Sequence, residues 1–243
     1  MYNIDALKDQ LIDSLWFAKA RDAGATFYSR RKNKRMRLLT LTNGINFNEI
    51  LKLEEGQLIQ RADIVAWVVS DFNKRMRLEV ESVGCILEGD ILTETILDAS
   101  SELHNHFPRD IINLDFSSQD PNMQNGRIEQ EMLCLEKNIN IQKQKGGEKF
   151  VVIYTTILDS HSINKDEVIR ASDALRISEW LGLNLSNYSE NISDISQQKA
   201  FIEEVLRKIC QKYGYPNINL DNSTLAIPGH QEQLYSIAGI IER

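Results

Sequence analysis

Four short apolar runs limit what this chain can fold into. DIVAWVV (63–69), CILEG (85–89), DIINLDF (110–116) and KFVVIYTTIL (149–158) are rich in β-branched residues. The longer ones lack the strict alternation of a strand with one wet face. Continuous apolar strands of this kind are covered on both sides. A fifth run, RLLTLT (37–42), precedes them, and Asn43-Gly44 after it is a turn signal.

Helical periodicity fills the spaces between these runs. Leu7, Leu11, Leu15 and Trp16 predict an amphipathic helix over 4–20, ending near Gly24. Further helices are expected over 47–60, 73–82, 93–103, 166–181 and 197–213. Ile128, Met132, Leu135 and Ile139 mark one over 127–144, closed by Gly146-Gly147. The chain ends in two β-like runs, STLAI and LYSIAGII, separated by PGHQEQ, which reads as a hairpin.

Strands that alternate with helices form a parallel sheet with helices on both faces. The expected fold is therefore α/β: a doubly wound, mostly parallel, Rossmann-like sheet with a C-terminal antiparallel hairpin. Residues 1–35 form an N-terminal helix and basic segment, and 36–243 the Rossmann-like domain. At 243 residues, 42% hydrophobic and 26% charged, the chain is long enough to build such a core without staples. Its three cysteines, Cys85, Cys134 and Cys210, are widely spaced, and each reads as a small apolar residue. Their pattern fits a reducing cytoplasm. The start of the chain is acidic and amphipathic, unlike a signal peptide, and no run approaches the roughly 20 apolar residues of a membrane span.

In open parallel sheets, ligands sit beyond the carboxyl ends of the strands, where strand order reverses. The residues there are Thr42, Asn43, Gly44 and Asn46 after the first strand, Asp71 after the second, Asp90 after the third and Asp115 at the end of the fourth. A carboxylate after the second strand can accept hydrogen bonds from both ribose hydroxyls, and one near the third can meet an exocyclic amine. A polar turn after the first lets backbone N–H groups approach a ligand. A single aspartate at such a place more often caps the following helix. Three at successive strand ends point to a nucleoside-type ligand.

These segments resemble the class I S-adenosylmethionine-dependent methyltransferases over residues 36–241. IVAWVVSDFN is similar to that family's second strand, CILEGD to its third, and DIINLDF to its fourth, near the transferred methyl. The helix, Gly-Gly and KFVVIYTT succession is similar to the approach to the fifth strand, and the closing hairpin fits the family's antiparallel last pair. The resemblance implies S-adenosylmethionine as cofactor. Asp71 would bind its ribose, Asp90 its adenine side, and Thr42 to Asn46 its methionine portion. Asp115 would orient the methyl acceptor or act as its base. The first loop, TNGINFN, has one glycine where the family is glycine-rich, and NLDFSS replaces the N/D-P-P-Y motif of enzymes that methylate amino groups of nucleic-acid bases. Those departures motivate an alternative: a catalytically silent methyltransferase-like binding or partner subunit.

Net charge is −7, which does not mark the whole molecule as a nucleic-acid binder. The run RRKNKRMR (30–37) is a local exception. Arg30, Arg31, Lys32, Lys34 and Arg35, beside Phe27 and Tyr28, suit a phosphate backbone with stacking aromatics, and equally suit a solvated approach to the first strand. They make RNA or DNA an expected acceptor class. His104 and His106 are spaced as metal ligands are on a strand, but they fall in an expected loop without a third ligand. His161 follows the fifth strand, and His230 lies in the expected hairpin turn. No G-x-S-x-G elbow or P-loop pattern is present.

Overall fold

In a computed structural model of the chain, the structure describes residues 4–30, 35–41, 47–68, 82–88, 102–117, 127–158 and 195–243. Within these, α1 (Ile4–Leu11) passes through a π-turn (Ile12–Trp16) into α2 (Phe17–Arg30). Next come β1 (Met36–Leu41), α3 (Asn48–Glu55), β2 (Ile59–Val68), β3 (Cys85–Glu88), a 3-10 helix (Glu102–His106) and β4 (Ile111–Asp115). Then follow α4 (Arg127–Gln144), β5 (Lys149–Leu158), α5 (Ile195–Lys212), β6 (Asn217–Ala226) and β7 (Gln233–Glu242).

The seven strands form one sheet in the order β3-β2-β1-β4-β5-β7-β6. The first five run parallel, with Leu39 facing Val65 of β2 on one side and Ile112 of β4 on the other. β7 is antiparallel to both β5 and β6 and lies between them. A strand with neighbours on both sides and helices over it has no wet position, which is why LYSIAGII reads as continuously apolar. β6 lies at the sheet edge, so its sequence, NINLDNSTLA, is polar. The last strand therefore sits inside the sheet, and the antiparallel edge is β6.

Side chains alternate between the two faces. Leu39, Val65, Trp67, Ile112, Leu114, Val152, Tyr154 and Ile237 pack with α4 and α5. Leu38, Ile64, Ile111, Val151, Ile153 and Ala238 pack with the N-terminal helix and α3. The N-terminal helix runs beyond Gly24, longer than periodicity predicted. Its sheet-facing residues include Lys8, Ile12, Trp16 and Ala20, four apart. A regular helix drifts about 40° per four-residue step, and the wider π-turn absorbs that drift so that all four face the sheet.

Two glycines are dictated by geometry. Gly146 ends α4 at φ 75°, a left-handed conformation that costs it nothing. At Gly84 a Cβ would lie 2.3 Å from the carbonyl oxygen of Ala62, so no side chain fits where β3 approaches β2. The helix expected over 166–181 lies outside the described residues, as do 73–81 of that expected over 73–82 and most of that over 93–103; Ser82 is a turn residue at φ 57°.

Candidate active site at the strand carboxyl ends

Strand order reverses between β1 and β4: β1 is followed by β2 and β3 on one side and by β4 and β5 on the other. Leu41, Val68, Glu88 and Asp115 end these parallel strands at one edge of the sheet. This is the crevice where doubly wound sheets bind ligands.

A buried polar cluster lies beneath it. Thr40 and Asn113 are register partners on β1 and β4. Asn113 Nδ2 donates to Thr40 Oγ1 at 3.4 Å, and Thr40 Oγ1 donates to Glu49 Oε2 at 3.1 Å. Glu49 belongs to the first turn of α3, in phase with the buried Ile50 and Leu53, and so turns inward. Its Oε1 and the Oδ1 of Asn113 have no hydrogen-bond partner among the described residues. Burial pushes the Glu49 carboxyl up to about 7. The charge of Asp115 adds to the rise, while the Asn113 amide, the Thr40 hydroxyl and Lys8 oppose it. The group therefore exchanges its proton near neutrality.

Asp115 closes the cluster. Its Oδ2 lies 2.7 Å from Lys8 Nζ of α1. Its Oδ1 accepts hydrogen bonds from the Ser117 backbone N at 3.0 Å and from Ser117 Oγ at 2.5 Å. Two-residue reach of this kind is the Asx-turn habit of aspartate. Next along the sheet, Ser236 Oγ and Thr155 Oγ1 are 2.8 Å apart, and Trp16 Nε1 donates to Ser236 at 2.8 Å. On the opposite face, buried Glu131 of α4 accepts from Tyr154 Oη and from Thr156 Oγ1.

Of the residues expected at the site from sequence, Asp115 is at the strand edge. Thr42, Asn43, Gly44, Asn46, Asp71, Asp90 and His161 lie outside the described residues, as do Arg31, Lys32 and Lys34. Lys8, Thr40, Glu49 and Asn113 were not anticipated. Their signal was present for two of them: Lys8 and Glu49 each sit in phase with the apolar stripe of their helix, where a charged residue needs a buried partner.

The basic run divides. Arg30 ends α2. Arg35 is exposed and its Nη1 donates to the carbonyl oxygen of Ile59 at 3.3 Å. Arg37 is tied to Asp110 through its backbone N at 2.9 Å and its Nε at 3.4 Å. These residues flank the start of β1, about 20 Å from its carboxyl end at a strand rise of roughly 3.3 Å per residue. His104 and His106 fall in the 3-10 helix, and among the described residues no group of three or more His, Cys, Asp or Glu is placed to hold a metal. No helix among the described residues is long and apolar enough to cross a membrane.

Five parallel strands in the order 3-2-1-4-5, extended by an antiparallel strand inserted before the edge, decide the architecture. This is the doubly wound, Rossmann-like sheet with an antiparallel last pair that the resemblance to the class I methyltransferases implied. No protein-family model matches the chain, and no curated protein matches it. Solved structures of similar architecture include TYW2 of M. jannaschii in complex with AdoMet, at 8% identity and TM-score 0.42, covering 91% of this chain and 76% of that one. An arsenic(III) S-adenosylmethionine methyltransferase from Chlamydomonas reinhardtii is similar at 10% identity and TM-score 0.40, covering 93% and 73%. An S-adenosylmethionine-dependent methyltransferase from Clostridium acetobutylicum is similar at 14% identity and TM-score 0.38, covering 97% and 98%.

Proposed function

We propose that the chain binds S-adenosylmethionine at the carboxyl ends of β1 to β4 and transfers its methyl group to an acceptor. The observation that carries this reading is the pair of acceptors without a partner among the described residues, Glu49 Oε1 and Asn113 Oδ1, buried at the strand-order reversal. Buried acceptors without donors are costly, and a ligand that brings donors relieves the cost. S-Adenosylmethionine carries an ammonium, two ribose hydroxyls, an exocyclic amine and a cationic sulfonium, so its chemistry suits a site rich in carboxylates and amide oxygens. Asp71 is the proposed ribose partner, Asp90 the adenine-side partner, and Thr42, Asn43, Gly44 and Asn46 the methionine-side loop.

When bound, the sulfonium supplies an electrophilic methyl, and the protein's task is to align it with the acceptor. Of the two roles read for Asp115 from sequence, orienting the acceptor fits its surroundings better than acting as base. An aspartate held by Lys8 and Ser117 has both oxygens engaged, one by an ammonium and the other by two hydrogen bonds. Glu49, whose carboxyl exchanges its proton near pH 7, is the stronger proton acceptor in the cluster. Nucleic acid is the acceptor class favoured by Arg30, Arg31, Lys32, Lys34 and Arg35.

Isothermal calorimetry with S-adenosylmethionine and S-adenosylhomocysteine tests the proposal. Binding is expected, and Asp71→Ala should weaken it by about 1.5–3 kcal/mol, the worth of a hydrogen-bonded charge. No heat at millimolar ligand would sink it. Binding without methyl transfer to any offered RNA, DNA or small acceptor favours the silent partner subunit, a reading supported by the Lys8–Asp115 pair that occupies the acceptor-side carboxylate.

A further inference from the structure

The start of β3, the edge strand of the sheet, carries a second reactive constellation. Cys85 opens β3 and is paired in register with Val65 of β2. His106 ends the 3-10 helix, and its Nε2 lies 3.5 Å from Cys85 Sγ. Three residues on, buried Arg109 presents its guanidinium close enough for the two charges to interact. Arg109 is held by a hydrogen bond from Nη1 to the Asp63 carbonyl oxygen at 3.1 Å, and its backbone is clamped by the side-chain amide of Gln142. Its Nε has no partner among the described residues. The other charged groups around it are Arg37 of β1, Asp63 of β2 and Asp110 before β4.

The three thiols are thus in different environments. Cys134 is fully buried, and burial pushes its thiol far up; the same cause raises Cys210 to about 12. Cys85 is partly exposed, with an imidazole in contact and a guanidinium nearby. Reactive cysteines are found in partly exposed, electropositive surroundings of this kind, whereas buried ones are inert.

We propose that Cys85 is a thiol–disulfide exchange site for low-molecular-weight disulfides, with His106 as its proton acceptor and Arg109 as the positive charge beside the thiolate. The proton passes from Sγ to His106 Nε2. The thiolate attacks one sulfur of the small disulfide, a Cys85–S–S bond forms as the reagent's S–S bond breaks, and the departing thiolate takes the proton from the imidazolium. Because Cys134 of α4 and Cys210 of α5 are buried, neither is accessible to resolve the product. The mixed disulfide therefore persists until an external thiol removes it. The adduct would stand at the junction of β3, the edge strand, with the segment leading into β4.

Incubation of the folded protein with oxidised glutathione, followed by intact mass and peptide mapping, tests this. One glutathione per chain is expected, on Cys85, reversible by dithiothreitol and absent from Cys85→Ser. The rate at pH 7 should exceed that of the same protein unfolded in urea by about tenfold, because unfolding separates the thiol from His106 and Arg109. His106→Asn should lower the folded rate by a similar factor while circular dichroism stays unchanged. A rate that rises on unfolding, as for an ordinary protected thiol, overturns the proposal. So does an adduct on Cys134 or Cys210 in its place. The urea comparison needs no variant, so it stands even where His106→Asn fails to fold.

Discussion

Lys8 and Asp115 form an ion pair at 2.7 Å with their side chains only 5% and 11% exposed, joining the N-terminal helix to the carboxyl end of β4. The pair sets the charge of the cluster above which a ligand is proposed to bind, because Lys8 is the cation facing two carboxylates, Asp115 and Glu49.

Removing one member of such a pair costs more than the pair itself contributes, since a buried charge is left uncompensated. Lys8→Met is expected to destabilise the fold by about 3–5 kcal/mol in urea denaturation. The double variant Lys8→Met with Asp115→Leu should recover much of that loss. If the single and double variants lose equally, the cost lies in packing of the helix and the ion pair is incidental.

Glu49 predicts a pH dependence whose sign follows from its raised pKa. The native state holds the proton up to about pH 7, whereas the unfolded chain releases it near 4.5. The contribution is fully present below 4.5 and is lost as pH rises towards 7, a total of about 3 kcal/mol. Glu49→Gln keeps the shape and cannot ionise. The difference in stability between wild type and variant, measured at pH 4.5, 6 and 8, should turn against the wild type as pH rises. A difference that stays flat would place the Glu49 carboxyl in ordinary solvent.

Trp16→Phe deletes the hydrogen bond to Ser236 and leaves that hydroxyl its contact with Thr155. The expected loss is about 1–2 kcal/mol, and Ser236→Ala should add little to it. Full additivity in the double-mutant cycle would show the two residues to be uncoupled.

Gly84→Ala forces a Cβ against the backbone of β2, which cannot yield as a side chain can. The expected result is loss of β3 from the sheet edge, read as faster amide exchange at Ile86 to Glu88 with β4 and β5 unaffected. Unchanged exchange would mean that β2 shifts to admit the methyl group.

Elements with a strong period were readable before the structure. The helix over 127–144 and the strand over 149–158 agree with the sequence to the residue, because one has an unbroken apolar stripe ended by glycines and the other an unbroken β-branched run. β6 was read short, since only 223–227 of an exposed edge strand is apolar enough to signal; what holds Asn217 to Asn222 in place is pairing with β7. The placement of β7 inside the sheet was likewise beyond a local pattern, which marks a hairpin without saying which arm faces β5. Asp115 was legible as the end of β4, and the side chains around it were not. Thr40, Glu49 and Asn113 are brought together by the β1–β4 register and by the phase of α3, both of which are tertiary facts. The Cys85–His106 contact spans 21 residues of chain and has no sequence signature at all.

The position of β7 also governs when this protein can fold during synthesis. Trp16 reaches a partner 220 residues later, and Lys19 meets Asp221 of β6. A ribosome must have released the chain through β7 before the N-terminal helix acquires the last part of the surface it covers. Until then part of the apolar side of α1 and α2 is uncovered, and β5 offers an unpaired edge to any other strand nearby. Assembly is therefore expected to be late and all at once, governed by contacts of very long sequence separation, with the newborn chain dependent on whatever shields it in the interval.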